Sequence, residues 1–230
     1  MNNIQLFEKF LMNNIAKTTN TTTLDKYKVY SFENKIRQNN DYAKVNAINI
    51  KEVIHTACEW TGDKSCYIFL FEIAIVETSL GCSSRSKATK GNIGRGIWHV
   101  DEGTFNDTKT SPKMKIYREN LLKHGLDWTT VSWNDLSLNI LIGAIGAKMT
   151  LLMKGINYSF SSKLNSLENR ATYYANKYNG GGTDEAKVNY IKNCKAWYTL
   201  LLNQGAEYLE FNGKKYNITK NGLSLNDLLV

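Results

Sequence analysis

A chain of 230 residues has room for one sizeable hydrophobic core with appended segments, not for two full domains. Its 42% hydrophobic and 22% charged residues exclude wholesale disorder. Lys and Arg outnumber Asp and Glu by 29 to 21, and the resulting charge of +8 favours polyanionic partners; because the basic residues are scattered, it does not choose between nucleic acid, anionic membrane and acidic cell wall.

Residues 1–45 are rich in Asn, Thr and Lys, with TTNTTT at 18–23, and read as a short helix followed by loop. Glu8 and Lys9 interrupt the apolar residues near the start, so no secretory signal peptide is expected. From Ile48 the pattern is helical. The run from Cys66 to Val76 is almost wholly apolar, with Glu72 its only charge, and fits a buried strand or a buried helix. Thr78 to Gly96 is dense in Gly, Ser, Lys and Asn and reads as irregular loop or short strands, a common setting for sites. Leu136 to Met153, hydrophobic nearly all round, predicts one central core helix rather than a membrane span.

Leu164 to Tyr178 predicts another helix, stopped by Gly180, Gly181 and Gly182. Thr183 then caps a further helix with Asp184 and Glu185 in its first turn, and Tyr190, Ile191, Cys194, Trp197, Tyr198 and Leu201 form its buried stripe. Asn212-Gly213 between two β-prone runs in residues 207–218 predicts a type I′ hairpin. The fold class is therefore mainly α, an α+β arrangement with a small β element and a C-terminal β-hairpin. Residues 46–205 are expected to form the core domain, with an N-terminal extension over 1–45 and a hairpin and tail over 206–230.

Cys58, Cys66, Cys82 and Cys194 are too sparse for a disulfide scaffold, and their redox state is open. His55, Cys58 and Cys66 lack paired ligand spacing, so no metal is assigned and buried thiols are favoured. Glu77 stands where an apolar segment meets a polar loop. A carboxyl partly desolvated there is suited to general acid catalysis, because burial favours its protonated form. Asp101 and Glu102 are the nearest candidates for a second carboxylate. Among Trp60, Trp98, Trp128, Trp133 and Trp197, core packing is the preferred reading, with Trp98 the one placed to line a cleft.

Three blocks in order resemble the goose-type lysozymes and the related soluble lytic transglycosylases, of the lysozyme-like superfamily. The first is Ile75-Val76-Glu77-Thr78-Ser79 with Gly81, the second Gly94-Arg95-Gly96-Ile97-Trp98-His99-Val100-Asp101, and the third Tyr174-Ala175 with Lys177-Tyr178-Asn179-Gly180-Gly181. The resemblance spans about residues 50–200 and implies a lysozyme-like catalytic core without a cofactor, acting on peptidoglycan glycan strands. By it, Glu77 protonates the glycosidic oxygen between N-acetylmuramic acid and N-acetylglucosamine and Asp101 positions or activates water. Thr78, Ser79, Gly96, Ile97, Trp98, His99, Tyr178 and Asn179 are expected to bind substrate.

This sequence departs from the family's pattern in Thr78 for Ser, His99 for Gln, and Lys90 where a further acidic residue is common. The expected activity is hydrolysis by a muramidase. Lytic transglycosylation and a catalytically inactive wall-binding module are the alternatives; a nucleic-acid-binding domain, motivated by the charge and thirteen tyrosines, has no recognisable motif. No membrane insertion is expected. Without a signal peptide, delivery to the periplasm or wall is expected through a holin, a virion or a secretion machine, and an injected effector implies an immunity or inhibitor protein as partner.

Overall fold

The computed structural model describes residues 42–81 and 94–225. Residues 1–41 of the expected N-terminal helix and loop, with Cys82 and Lys90, lie outside them, and residues 42–45, expected as loop, open a helix instead. Among these residues the chain is mostly helical, with two small antiparallel sheets.

Helix α1, Tyr42–Thr61, buries Ala47, Ile50, Val53, Ile54, Ala57 and Cys58, a stripe at helical spacing. It ends where the Thr61 hydroxyl turns back to the Ala57 carbonyl and Gly62 adopts φ +76°, the left-handed conformation that glycine reaches without steric cost. Helix α2, Tyr67–Thr78, settles the strand-or-helix choice for the apolar run: it is a helix, buried almost throughout. Surrounded by other helices, that segment meets its backbone hydrogen bonds internally, which a strand there could not do.

Strands β1, Gly94–Arg95, and β2, Val100–Asp101, form a short hairpin leading into α3, Glu102–Thr110, and, past a 3-10 turn, α4, Lys115–Lys123. The continuous helix expected from Leu136 to Met153 is instead two, α5, Asp135–Leu138, and α6, Ile140–Met153. Between them Asn139 is extended, and its side-chain oxygen accepts from the amides of Leu141 and Ile142. The break folds α5 back onto α6: a Cβ on Gly143 would stand 2.8 Å from the Leu136 carbonyl oxygen, and one on Gly146 would strike the Leu136 side chain. Helix α6 then packs against α1 as the centre of the core.

The single helix expected over Leu164 to Tyr178 is three pieces: a 3-10 helix ending at Leu164, α7, Leu167–Tyr173, capped by Ser166, and a π-helical turn, Tyr174–Tyr178. Thr183 caps α8, Asp184–Asn203, through the Ala186 amide as expected, and Tyr190, Cys194, Trp197, Tyr198 and Leu201 are its buried face. The C-terminal hairpin pairs β3, Tyr208–Phe211, with β4, Lys214–Thr219, and positive φ at both Asn212 and Gly213 is the type I′ signature. A third strand, β5, Gly222–Leu225, extends it, and Leu209, Phe211 and Ile218 join the main core. Cys58, Cys66 and Cys194 are buried free thiols.

Buried ionic clusters around Glu72 and Lys148 bind this core. Glu72, fully buried in α2, accepts from Arg170 Nε at 2.5 Å and Nη2 at 2.8 Å, Tyr190 Oη at 2.8 Å and Tyr198 Oη at 2.6 Å, tying α2 to α7 and α8. Lys148, fully buried in α6, donates to Asp63 Oδ1 at 2.7 Å and to the Ser65 carbonyl at 2.9 Å, while Asp63 Oδ2 accepts from the Tyr158 amide. Burial opposes ionisation of Asp63, but Lys148 and these hydrogen bonds outweigh it and hold the carboxyl below its usual range. Satisfying every lone pair is what makes an ionised group tolerable inside a protein.

Candidate active site

The first wall of the site is the C-terminal end of α2. Beyond Glu77 and Thr78 the chain leaves the helix through three consecutive left-handed residues, Ser79 (φ 52°), Leu80 (φ 53°) and Gly81 (φ 84°). Only glycine adopts this conformation freely, so holding Ser79 and Leu80 there costs about 1–2 kcal/mol each. The surroundings hold them. Leu80 is fully buried and its amide donates to the Ala74 carbonyl. The Thr78 hydroxyl accepts from the Gly81 amide at 3.0 Å and donates to the Ile97 carbonyl at 2.6 Å, bracing the helix end against the β1–β2 turn.

That turn is the second wall. Its close packing requires glycine at 96: φ is +73°, and a Cβ would stand 2.4 Å from the Leu136 carbonyl oxygen. Trp98 is fully buried, with Nε1 donating to the Leu70 carbonyl at 2.9 Å, so it anchors the turn in the core and does not line a cleft. The next side chain is directed elsewhere. His99, at φ 52°, brings Nδ1 to 3.6 Å from Glu77 Oε2, with the two side chains only 10% and 8% exposed. This separation is an electrostatic contact rather than a hydrogen bond.

The third wall is the π-turn. Its wide register, closed by the Asn179 amide on the Tyr174 carbonyl, presents two tyrosines to different targets. Tyr174 Oη donates to Glu77 Oε1 at 2.8 Å, and Tyr178 Oη donates to the Trp98 carbonyl at 2.8 Å. Burial, then the nearby Glu77, Tyr174 and Asp101, pushes the Tyr178 phenol well above its ordinary value and keeps it a neutral donor. Lys154, half-buried, reaches the Tyr178 carbonyl at 3.4 Å; burial lowers its pKa, while Asp101 acts against that shift.

The structure therefore brings Glu77, His99 and Tyr178 together and makes Thr78, Gly96, Ile97 and Trp98 the packing that holds them. Ser79 is half-buried at the helix end and Asn179 is exposed. Asp101 is exposed and caps α3, its Oδ1 accepting from the Thr104 amide at 2.7 Å; Glu102 follows in the first turn. Trp133, not Trp98, is the partly buried tryptophan beside β2: its Nε1 donates to the Val100 carbonyl and the Arg95 guanidinium lies 4.0 Å above its ring. Sequence reasoning missed Tyr174 as the partner of Glu77, since a tyrosine one turn before Tyr178 reads equally well as core. Among the described residues no group of three or more His, Cys, Asp or Glu side chains is disposed to hold a metal ion. No protein-family model, curated protein or solved structure matches the chain.

Proposed function

We propose that the chain is a peptidoglycan-degrading glycosidase, a muramidase cleaving the β-1,4 bond between N-acetylmuramic acid and N-acetylglucosamine with Glu77 as general acid. The observation that carries this reading is the Glu77 carboxyl itself: 8% exposed at the end of a buried helix, bonded to Tyr174 through one oxygen and facing His99 through the other. A carboxyl so enclosed is a candidate for donating a proton to a glycosidic oxygen. Exposed Asp101, in electrostatic range of Tyr178, is the second carboxylate that hydrolysis with inversion requires.

One observation favours a second reading, lytic transglycosylation. Asp101 is engaged as a helix cap, and residues 82–93 contain no Asp or Glu to replace it. Attack by the muramic acid 6-hydroxyl in place of water would then yield an anhydro product. Digestion of purified peptidoglycan with mass analysis of the products separates the readings. Reducing ends are expected; anhydro ends would select the transglycosylase, and binding to wall without soluble products would leave an inactive wall-binding module. The charge of +8 supports adsorption to acidic wall polymers. Delivery to the wall through a holin, virion or secretion machine, and restraint by an immunity protein, belong to the same proposal.

A further inference from the structure

We propose that Tyr174 is a positioning residue that decides which oxygen of the Glu77 carboxyl carries the reactive proton, an inference that rests on the reading of Glu77 as the acid. Tyr174 Oη donates to Oε1 at 2.8 Å. The carbonyl oxygen of a neutral carboxyl accepts a hydrogen bond better than its hydroxyl oxygen does, so this bond favours the form with the proton on Oε2, the oxygen that faces His99 Nδ1. Without Tyr174 the two oxygens compete for that proton, and part of the population holds it on the wrong one.

Tyr174 is built to hold this position. Its side chain is 5% exposed, and its ring packs on Tyr178 at 6.1 Å and on Tyr190 at 4.9 Å between centroids. Tyr190 is itself fixed by its hydrogen bond to buried Glu72. The π-turn gives the two adjacent phenols separate tasks, Tyr174 on the carboxyl and Tyr178 on the hairpin backbone. In the first half of the reaction the Oε2–H bond breaks, its proton passes to the glycosidic oxygen, and the departing C–O electron pair stays on that oxygen. Glu77 is left as a carboxylate, whose charge the Tyr174 O–H stabilises. If water attacks with inversion, its proton goes to Asp101 and Glu77 regains its own from solvent; if the muramic acid 6-hydroxyl attacks, its proton returns to Glu77.

The side chains facing this carboxyl include His99 from the hairpin and Tyr174 and Tyr178 from the π-turn. The test combines kinetics with the titration of Glu77 followed by carboxyl 13C NMR, assigned by comparison with Glu77→Gln. Tyr174→Phe keeps both ring contacts and removes the donor. It is expected to lower kcat about 10- to 100-fold with KM within about two-fold, the scale of a hydrogen bond to a charged group. The Glu77 midpoint and the alkaline limb of the kcat profile should both move to higher pH, because a bond favouring the carboxylate is gone. Introducing 3-fluorotyrosine at 174, nearly isosteric with a more acidic phenol, should move the midpoint the other way. An unmoved midpoint in both proteins, or a rise in KM alone, would overturn the role of Tyr174. A midpoint that shifts in a wild type releasing no wall fragments would instead retain the contact and remove the glycosidase reading.

Discussion

On the proposed reading Asp101 decides between hydrolysis and transglycosylation, and its helix cap can be separated chemically from that proposed role. Asn caps a helix about as well as Asp, so Asp101→Asn should leave the thermal midpoint almost unchanged. It removes the anionic oxygen that would hold or activate water. For a hydrolase the release of reducing ends should fall about 10²-fold or more; an unchanged rate with anhydro ends would assign attack to the sugar hydroxyl. His99 Nδ1 faces Oε2 at 3.6 Å, and wherever the imidazole is protonated its charge favours the carboxylate; over that range His99→Gln should raise the pH at which Glu77 loses its proton and extend activity to higher pH. A pH–rate profile checks this, and a shift of the alkaline limb to lower pH would contradict it. The place of Glu77 at the end of a buried helix was legible because a carboxyl at the junction of apolar run and polar loop is itself a local signal. Its bond to Tyr174 was not, since that contact joins residues 97 positions apart.

The elements show the same division between local and long-range information. The Thr183 cap, the α8 stripe and the Asn212-Gly213 turn were readable because each is specified within a few residues. The break at Asn139 was not, for the apolar pattern continues across it and the reason for stopping is Leu136 folding over Gly143 and Gly146. The same fold-back makes Gly96 indispensable. Gly96→Ala forces a Cβ to within 2.4 Å of the Leu136 carbonyl and imposes left-handed strain, so it should destabilise the protein by more than about 1 kcal/mol and disturb His99. Thermal denaturation and lytic rate measured together check this; a neutral effect on both would contradict the assigned packing. Trp98 fits the same account: its block was noticed, but whether a turn residue points into the core or outward depends on the Leu70 carbonyl waiting beneath it.

At the scale of the whole molecule, α2, which carries Glu77, is tied to α7 and α8 by buried Glu72, whose partner Arg170 lies 98 positions away in sequence. Arg170→Met leaves Glu72 buried without its ionic partner and should cost about 3–5 kcal/mol, while Glu72→Leu/Arg170→Met together should cost less than the single change. Denaturant unfolding of the three proteins tests the ordering, and a double variant less stable than Arg170→Met would reverse it. Asp63 sets part of the acid sensitivity. Its pKa is lowered in the folded state, so its contribution is present above the unfolded value near 3.8 and is lost as the pH falls through the lower folded value. Asp63→Asn should therefore flatten the acid side of the stability curve. Glu72 stood out as the one charge in an apolar run, but its partners on α7 and α8 could be found only once those helices were packed.

The central claim is that Glu77 gives up a proton to a wall glycan. The most direct test is the rate at which wild type and Glu77→Gln release soluble muropeptides from purified peptidoglycan. Glutamine preserves the size of the side chain and its acceptor for Tyr174 but has no acidic proton, so the rate should fall about 10²- to 10⁴-fold while the thermal midpoint changes little. Equal release by a well-folded Glu77→Gln protein would contradict the account.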